Sequence, residues 1–176
     1  MKVCIDKRWG VRAEDVVEIG MPASAVWGQM KDFRRFLTLD PLHAEVVVTR
    51  DRPAPQCAPR SPAGAKLLIR HRFLGVEVDR VGRMLRWREG QGFAMSDLSR
   101  RGTRVGFPHV CVYAIEPDGP SRCRLRVAAV GRWTATSWPR WLVRLWMCWV
   151  LAGTRERVRR EMHAVEWARR RLGPRP

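Results

Sequence analysis

The C-terminal stretch constrains this chain more than any other. A tryptophan-dense apolar segment, Trp138 to Gly153, runs without interruption into an Arg-rich amphipathic one, Thr154 to Leu172. Trp138, Trp141, Trp146 and Trp149 lie in the first part and Trp167 in the second. A helix carrying that much aromatic surface has to bury it against the protein's own sheet, a bound apolar ligand, a second subunit or a membrane surface. In the second part Val158, Met162 and Val165 fall on one helical stripe, with Arg157, Arg159, Arg160, Arg169, Arg170 and Arg171 mostly around the remainder. That half is expected to lay its stripe on a sheet. Between Leu142 and Leu151 the apolar residues go nearly all the way round, leaving a surplus that one sheet face does not cover. Trp27, Phe33 and Phe36 of the same chain are the simplest cover, and lipid headgroups, where Trp beside Arg is favoured, are another.

A chain of 176 residues with 45% hydrophobic content is long enough for one domain with a real core. Residues 1–12 read as an N-terminal extension and 173–176 as a short tail. The net charge of +17 would suit nucleic acid or anionic lipid. Of the 34 basic residues 30 are arginine, however, and they are scattered along the chain. No zinc-finger spacing, RNP-like aromatic run or basic-region zipper accompanies them, so a generally basic surface is the preferred reading and nucleic acid is disfavoured. The cysteines, Cys4, Cys57, Cys111, Cys123 and Cys148, are odd in number and widely spaced, which argues against a disulfide scaffold and a Cys-based zinc site. Neither a metal nor a cofactor is expected from motifs. With no charged-then-apolar leader, a cytoplasmic, reduced protein is expected. Trp138 to Gly153 is too short to span a bilayer and is interrupted by Arg140 and Arg144. Peripheral contact with an anionic membrane through Trp138, Trp141, Arg140 and Arg144 stays open, and the oligomeric state is not legible.

Upstream the periodicity changes twice. Glu14 to Met21 is β-like and closes at Gly20-Met21-Pro22. Pro22 and Ser24 offer a helix starter and cap before Ala25, Val26, Trp27, Met30 and Phe33, which share one helical face. A second short helical piece through Phe36 to Leu39 ends at Asp40-Pro41. Period-two segments follow at Ala44 to Thr49, Lys66 to Phe73, Val76 to Val81 and, more weakly, Phe93 to Leu98, with a proline-rich loop at Arg50 to Gly64. Gly82, Gly90 and Gly92 read as turns and bends. Phe107 to Ile115 and Arg122 to Trp133 form the clearest hairpin, joined by Pro117-Asp118-Gly119-Pro120. The fold class is therefore α+β: a curved antiparallel sheet of six to seven strands with two short helices after the first strand and a long C-terminal helix.

This order of elements, with Val17-Glu18-Ile19-Gly20-Met21-Pro22-Ala23-Ser24-Ala25-Val26-Trp27, Met30, Asp32-Phe33, Phe36 and Asp40-Pro41, resembles the START and polyketide cyclase/dehydrase superfamily, also called SRPBCC, whose members have the helix-grip fold. Phe107-Pro108-His109, Tyr113-Ala114-Ile115-Glu116-Pro117 and Arg122 to Val127 are similar to its penultimate hairpin. The resemblance runs from about Glu14 to Leu172. It implies a sheet wrapped around the C-terminal helix, with an apolar cavity between them for a hydrophobic small molecule or lipid.

The alternation then nominates Leu67, Ile69, His71 and Phe73, with Leu125, Val127 and Ala129 on a neighbouring strand and Leu142, Leu145 and Trp149 from the helix, as the cavity lining, and Tyr113 is counted with them as a ligand contact. Polar groups are few. His71 lies on the apolar side of its strand, and His109 and Tyr113 share a face because their separation is even. In a cyclase-like reading a histidine is the general base, Tyr113 a proton donor, and Asp97 or Arg101 an orienting or enolate-stabilising group. A lone histidine on an apolar face is more often a hydrogen-bonded core residue, and Asp97, in Ser96 to Gly102, reads more readily as a turn residue. No Ser/His/Asp set, HExxH or phosphate-cradling glycine loop is present. Ligand binding without catalysis is accordingly the leading expectation. An aromatase/cyclase-like enzyme on a polyketide-type substrate comes next, and a basic membrane or nucleic-acid binder without a pocket third.

Overall fold

Strict alternation builds the sheet. Along β7 (His109–Pro117) Cys111, Tyr113 and Ile115 are buried, and along β8 (Cys123–Arg132) so are Cys123, Leu125, Val127 and Ala129, with half-buried or exposed residues between most of them. The computed structural model describes residues 1–49, 62–99, 107–135 and 137–172. The remaining elements are β1 (Lys2–Ile5), β2 (Gly10–Ile19), α1 (Ala23–Met30), α2 (Phe33–Leu37), β3 (His43–Thr49), β4 (Lys66–Phe73), β5 (Val76–Arg88), β6 (Gly92–Ser99) and α3 (Arg140–Leu172). All pairings are antiparallel, in the order β1-β2-β8-β7-β6-β5-β4-β3. Consecutive strands are neighbours except where α1 and α2 carry the chain from β2 to the far edge at β3.

Cross-strand partners put their side chains on the same face. One inward row therefore reads Leu67, Gly82, Asp97, His109, Gly131 and Val11 across six strands. The next row reads Met84, Met95, Cys111, Ala129 and Ala13. Against this face α3 lays Val143, Met147, Leu151, Val158 and Met162, all buried, next to β1 and β2. Fully burying such a side chain contributes about 1.5–3 kcal/mol relative to leaving it in water. Arg155 of α3 stands 3.6 Å from Oδ2 of the buried Asp15 of β2, an ion pair without a hydrogen bond, and Thr154 donates to the Val150 carbonyl at 3.0 Å.

The α+β architecture with a curved sheet and a long C-terminal helix is as the sequence leads one to expect, with four corrections. Residues 1–12 are not an extension: they form β1 and the start of β2, which makes the strand count eight and begins the first long strand at Gly10 instead of Glu14. Gly82 does not break β5. It sits mid-strand because an added Cβ would lie 2.3 Å from the Ser96 carbonyl oxygen, a distance no side chain tolerates. Asp97 is not in a turn but within β6, fully buried on the inner face. The helical face through Phe33 is also divided: α1 ends at Met30, Phe33 opens α2, and the α1 N-cap is Pro22 without a side-chain bond, Ser24 lying inside the helix.

The surplus aromatic surface of α3 is not covered by Trp27, Phe33 and Phe36. Those three pack with Trp87, Phe93 and Tyr113 at ring separations of 5.0–6.5 Å, under the two small helices. Trp146 instead meets Phe73 at 4.4 Å, edge to face. Trp141, Leu145 and Trp149 remain 63%, 58% and 52% exposed.

Candidate functional site

The inward row through Gly82 and Gly131 holds a charge where a sheet interior would ordinarily be apolar. Asp97 projects from the middle of it. Arg80, whose cross-strand partner on β4 is Ile69, approaches from β5; its Nε donates to Asp97 Oδ1, and its Nη2 donates to the carbonyls of Asp97 at 3.1 Å and Phe107 at 2.8 Å. The second carboxylate oxygen, Oδ2, faces three imidazoles. His71 Nε2 stands 2.9 Å away, His43 Nε2 3.8 Å and His109 Nε2 4.0 Å. At 2.9 Å the His71 contact has the length of a strong hydrogen bond but not its direction, and among the described residues neither His71 Nε2 nor Asp97 Oδ2 makes one.

Local structure fixes two of the rings. His43 starts β3 directly after the turn at Asp40-Pro41-Leu42, and its Nδ1 is 2.8 Å from the Leu37 carbonyl at the end of α2. A register irregularity between His43 and Glu45 turns this first residue of β3 inward. His109 starts β7, stacks on Phe107 at 4.5 Å, and has Nδ1 2.5 Å from the Phe107 carbonyl. A carbonyl only accepts, so both Nδ1 atoms are protonated donors and both rings turn Nε2 toward Asp97. Gly131 makes room beside His109, where an added Cβ would lie 2.2 Å from the Pro108 oxygen and 2.6 Å from the His109 Cβ.

The groups answer one another electrostatically. Burial pushes the Asp97 carboxyl up, but the polar contacts and charge of His43, His71 and His109 outweigh it and hold the group well below the usual carboxylate range. Burial opposes the charge on His43 too, yet Asp40 and Asp97 prevail and raise it. On His109 burial wins and lowers the value despite Asp97, with Arg80 and His43 adding to the lowering. One and two rows over, burial pushes the Cys111 thiol and the Tyr113 hydroxyl well up, keeping both protonated.

Of the expected polar groups, the fold brings together His71, His109 and Asp97. Tyr113 belongs elsewhere, packed on Phe36 and Phe93 at 5.5 and 5.0 Å. Arg101 lies outside the described residues. Sequence reasoning missed His43 and Arg80. Arg80 could have been found, because the alternation of β5 puts it on the Gly82 and Met84 face, where a buried arginine demands an acid on a neighbouring strand. Among the expected lining residues, Leu67, Ile69, Tyr113, Leu125, Val127 and Ala129 are buried on the inner face, and His71 and Leu142 are half-buried. Leu145 and Trp149 are corrected: they lie on the solvent side of α3, because the sheet takes the Val143, Met147 and Leu151 stripe instead. Phe73 is 37% exposed at the end of β4, where its ring meets Trp146 and Trp149.

A run of rings borders the polar cluster on the α3 side. From His109 it passes through Phe107, Trp133, Trp138 and Trp146 to Phe73, with centroid separations between 4.4 and 6.5 Å. An open groove of about 450 Å3, lined by Asp6, Lys7, Arg8, Trp9, Gly10 and Arg132, lies instead at the β1–β2 turn and includes none of these groups.

No known family model and no curated protein sequence matches the chain. Solved structures do match in shape. A START superfamily protein from Mycobacterium smegmatis superposes with a TM-score of 0.67 at 14% identity, over 88% of this chain and 98% of that one. The Zhui aromatase/cyclase from Streptomyces sp. R1128 gives 0.63 at 14% identity, over 88% and 94%. Ara h 8.0201 gives 0.62 at 9% identity, over 88% and 99%. The chain has the helix-grip fold shared by START proteins and polyketide aromatase/cyclases.

Proposed function

We propose that the protein holds a hydrophobic, carbonyl-bearing small molecule between the sheet and α3 and moves protons on it, an aromatase/cyclase type of activity. The observation that carries this reading is the convergence of Arg80, His43, His71 and His109 on one buried carboxylate. A binding site for an apolar guest has no use for buried charge, which is costly to desolvate unless function retains it. Weighed singly, each histidine reads as structural; assembled round Asp97 they form a base with an orienting acid. His71, half-buried and with its side chain the most accessible of the three rings, is the candidate base. It takes a proton from a carbon between two carbonyls, the resulting enolate attacks a carbonyl further along the guest to close a ring, and the imidazolium returns its proton to the new alkoxide. Leu67, Ile69, Leu125, Val127, Ala129 and Leu142 supply the apolar contacts. The helix-grip fold supports the reading, since one structure sharing it is named an aromatase/cyclase.

The test is incubation of the purified chain with a linear poly-β-ketone thioester, followed by chromatography and mass spectrometry. Ring-closed product above the buffer rate, lost in His71→Ala, is the expected result. Saturable binding of the thioester with no product above buffer would replace the reading by ligand binding without catalysis.

The exposed stripe on α3 favours a second contact, with a membrane. Trp141, Leu145 and Trp149 share one exposed face of α3, Trp149 meets Phe73 at 6.2 Å, and Leu74 and Val76 at the β4–β5 turn are 85% and 62% exposed, on a chain of net charge +17. Arg140 and Arg144 are partly committed, donating to the Lys7 and Val3 carbonyls, and their charge stays beside the stripe. Co-sedimentation with anionic vesicles, reduced in Trp141→Ser/Trp149→Ser and absent with zwitterionic vesicles, is the expected outcome; equal sedimentation with both would exclude it.

A further inference from the structure

Three histidines and an aspartate that a proton alone leaves poorly satisfied are the chemistry of a metal centre. The chain has four histidines, and three of them gather here from β3, β4 and β7. His43 and His109 have each spent Nδ1–H on a backbone carbonyl, so in their neutral forms both present an Nε2 lone pair toward the same carboxylate oxygen. Lone pairs facing an anion repel it. His71 Nε2 is closer still, and neither it nor the fully buried Oδ2 has a directed hydrogen bond among the described residues. The electron-pair donors of His43, His71 and Asp97, gathered around one point, call for a cation between them.

We propose that His43, His71 and Asp97 bind a divalent transition-metal ion of the zinc type. One ligand atom from each of the three residues lies within 4.8 Å of the others. Tetrahedral coordination with metal–ligand bonds of about 2.0–2.2 Å sets ligand atoms roughly 3.3 Å apart, so the 2.9 and 3.8 Å separations from Oδ2 bracket the requirement. The surroundings supply the outer shell such a centre needs: the Leu37 carbonyl orients His43, and Arg80 holds the opposite carboxylate oxygen. Two imidazoles and a carboxylate suit zinc, and the half-buried side of His71 gives an approach. The inference concerns binding of the ion alone and competes with the cyclisation reading for His71, since an imidazole bound through Nε2 is no longer a free base.

Chelator-treated full-length protein titrated with zinc chloride by calorimetry provides the test. One ion per chain is expected, with affinity falling roughly a hundredfold or more in His71→Ala and His43→Ala, and unchanged in His163→Ala on the exposed face of α3. Imidazole 15N signals of the wild-type protein need no variant: those of His43 and His71 are expected to move on zinc addition while that of His163 stays. Absence of saturable binding, affinity indifferent to His43 and His71, or unmoved His43 and His71 signals would each overturn the proposal and leave the cluster as a proton-sharing network.

Discussion

Among the described residues aromatic side chains form two clusters, and they differ in what they enclose. Under α1 and α2, Trp27, Phe33, Phe36, Trp87, Phe93 and Tyr113 close on one another, and Trp27 Nε1 donates to Glu89 at 2.8 Å. The other cluster, Phe107, Trp133, Trp138, Trp146, Trp149 and Phe73, is open: one end stacks on His109 beside the Asp97 cluster, and the other reaches solvent. Aromatic density alone does not distinguish a plug from a wall. What distinguishes them is the polar group at the end of the second and its absence of full cover.

Substitutions can break this comparison, beginning with the largest effects. Asp97→Asn strands the Arg80 guanidinium and is expected to destabilise the fold by about 3–5 kcal/mol, read by urea unfolding. Trp27→Ala in the closed cluster is expected to lose a similar amount, about 3–5 kcal/mol. The pair separates structure from site: the tryptophan variant, where it remains folded, keeps its imidazole titrations, and the aspartate variant does not. A Trp27→Ala protein as stable as wild type would show the closed cluster to be no plug.

Stability against pH sharpens the contrast, because the closed cluster titrates through Glu89, lowered by its hydrogen bonds from Trp27 and Trp87, and carries no histidine, whereas the open one ends on a carboxylate among imidazoles. The depressed Asp97 contributes its full stabilisation above about pH 4, and that contribution is lost as pH falls from there through its folded value. His43, raised by Asp40 and Asp97 against its burial, contributes below about pH 6.5 and loses that as pH rises through its higher folded value. The stability difference between wild type and His43→Gln should therefore be largest in mild acid and shrink toward alkaline pH. A difference that grows with pH would contradict the assignment.

Gly131→Ala pushes a methyl group into the Pro108 carbonyl and His109, and about 1–3 kcal/mol of destabilisation is expected. A smaller loss would mean that β8 shifts to accommodate it. The least effect falls on the exposed stripe, where Trp141→Ser and Trp149→Ser should each stay within about 0.5 kcal/mol of wild type in thermal unfolding. A larger loss would show that side of α3 to be core.

Periodicity made the sheet and the terminal helix legible, since burial on one face writes itself into every second or every third and fourth residue. Val158 and Met162 mark the α3 stripe plainly and are buried as their spacing requires. β1 was invisible because four residues at a sheet edge carry too little alternation, with only Val3 buried. In the first half of α3 apolar residues face both ways, so spacing could not say that Leu145 and Trp149 turn outward. The polar cluster was half legible: His71, His109 and Asp97 stand on inner faces by alternation, but their meeting depends on strand order and register. His43 was hidden by the bulge that follows it, and Asp97 by neighbours that look like a turn.

The most direct measurement is a crystal structure of the protein with a cyclised aromatic polyketide. Density for the compound on the inner face, within hydrogen-bonding distance of His71 or His109 and against Leu67 and Val127, is expected. Density confined to the outer stripe of Trp141 and Trp149, or an inner face filled by the protein's own side chains, would contradict a reactive centre inside the grip.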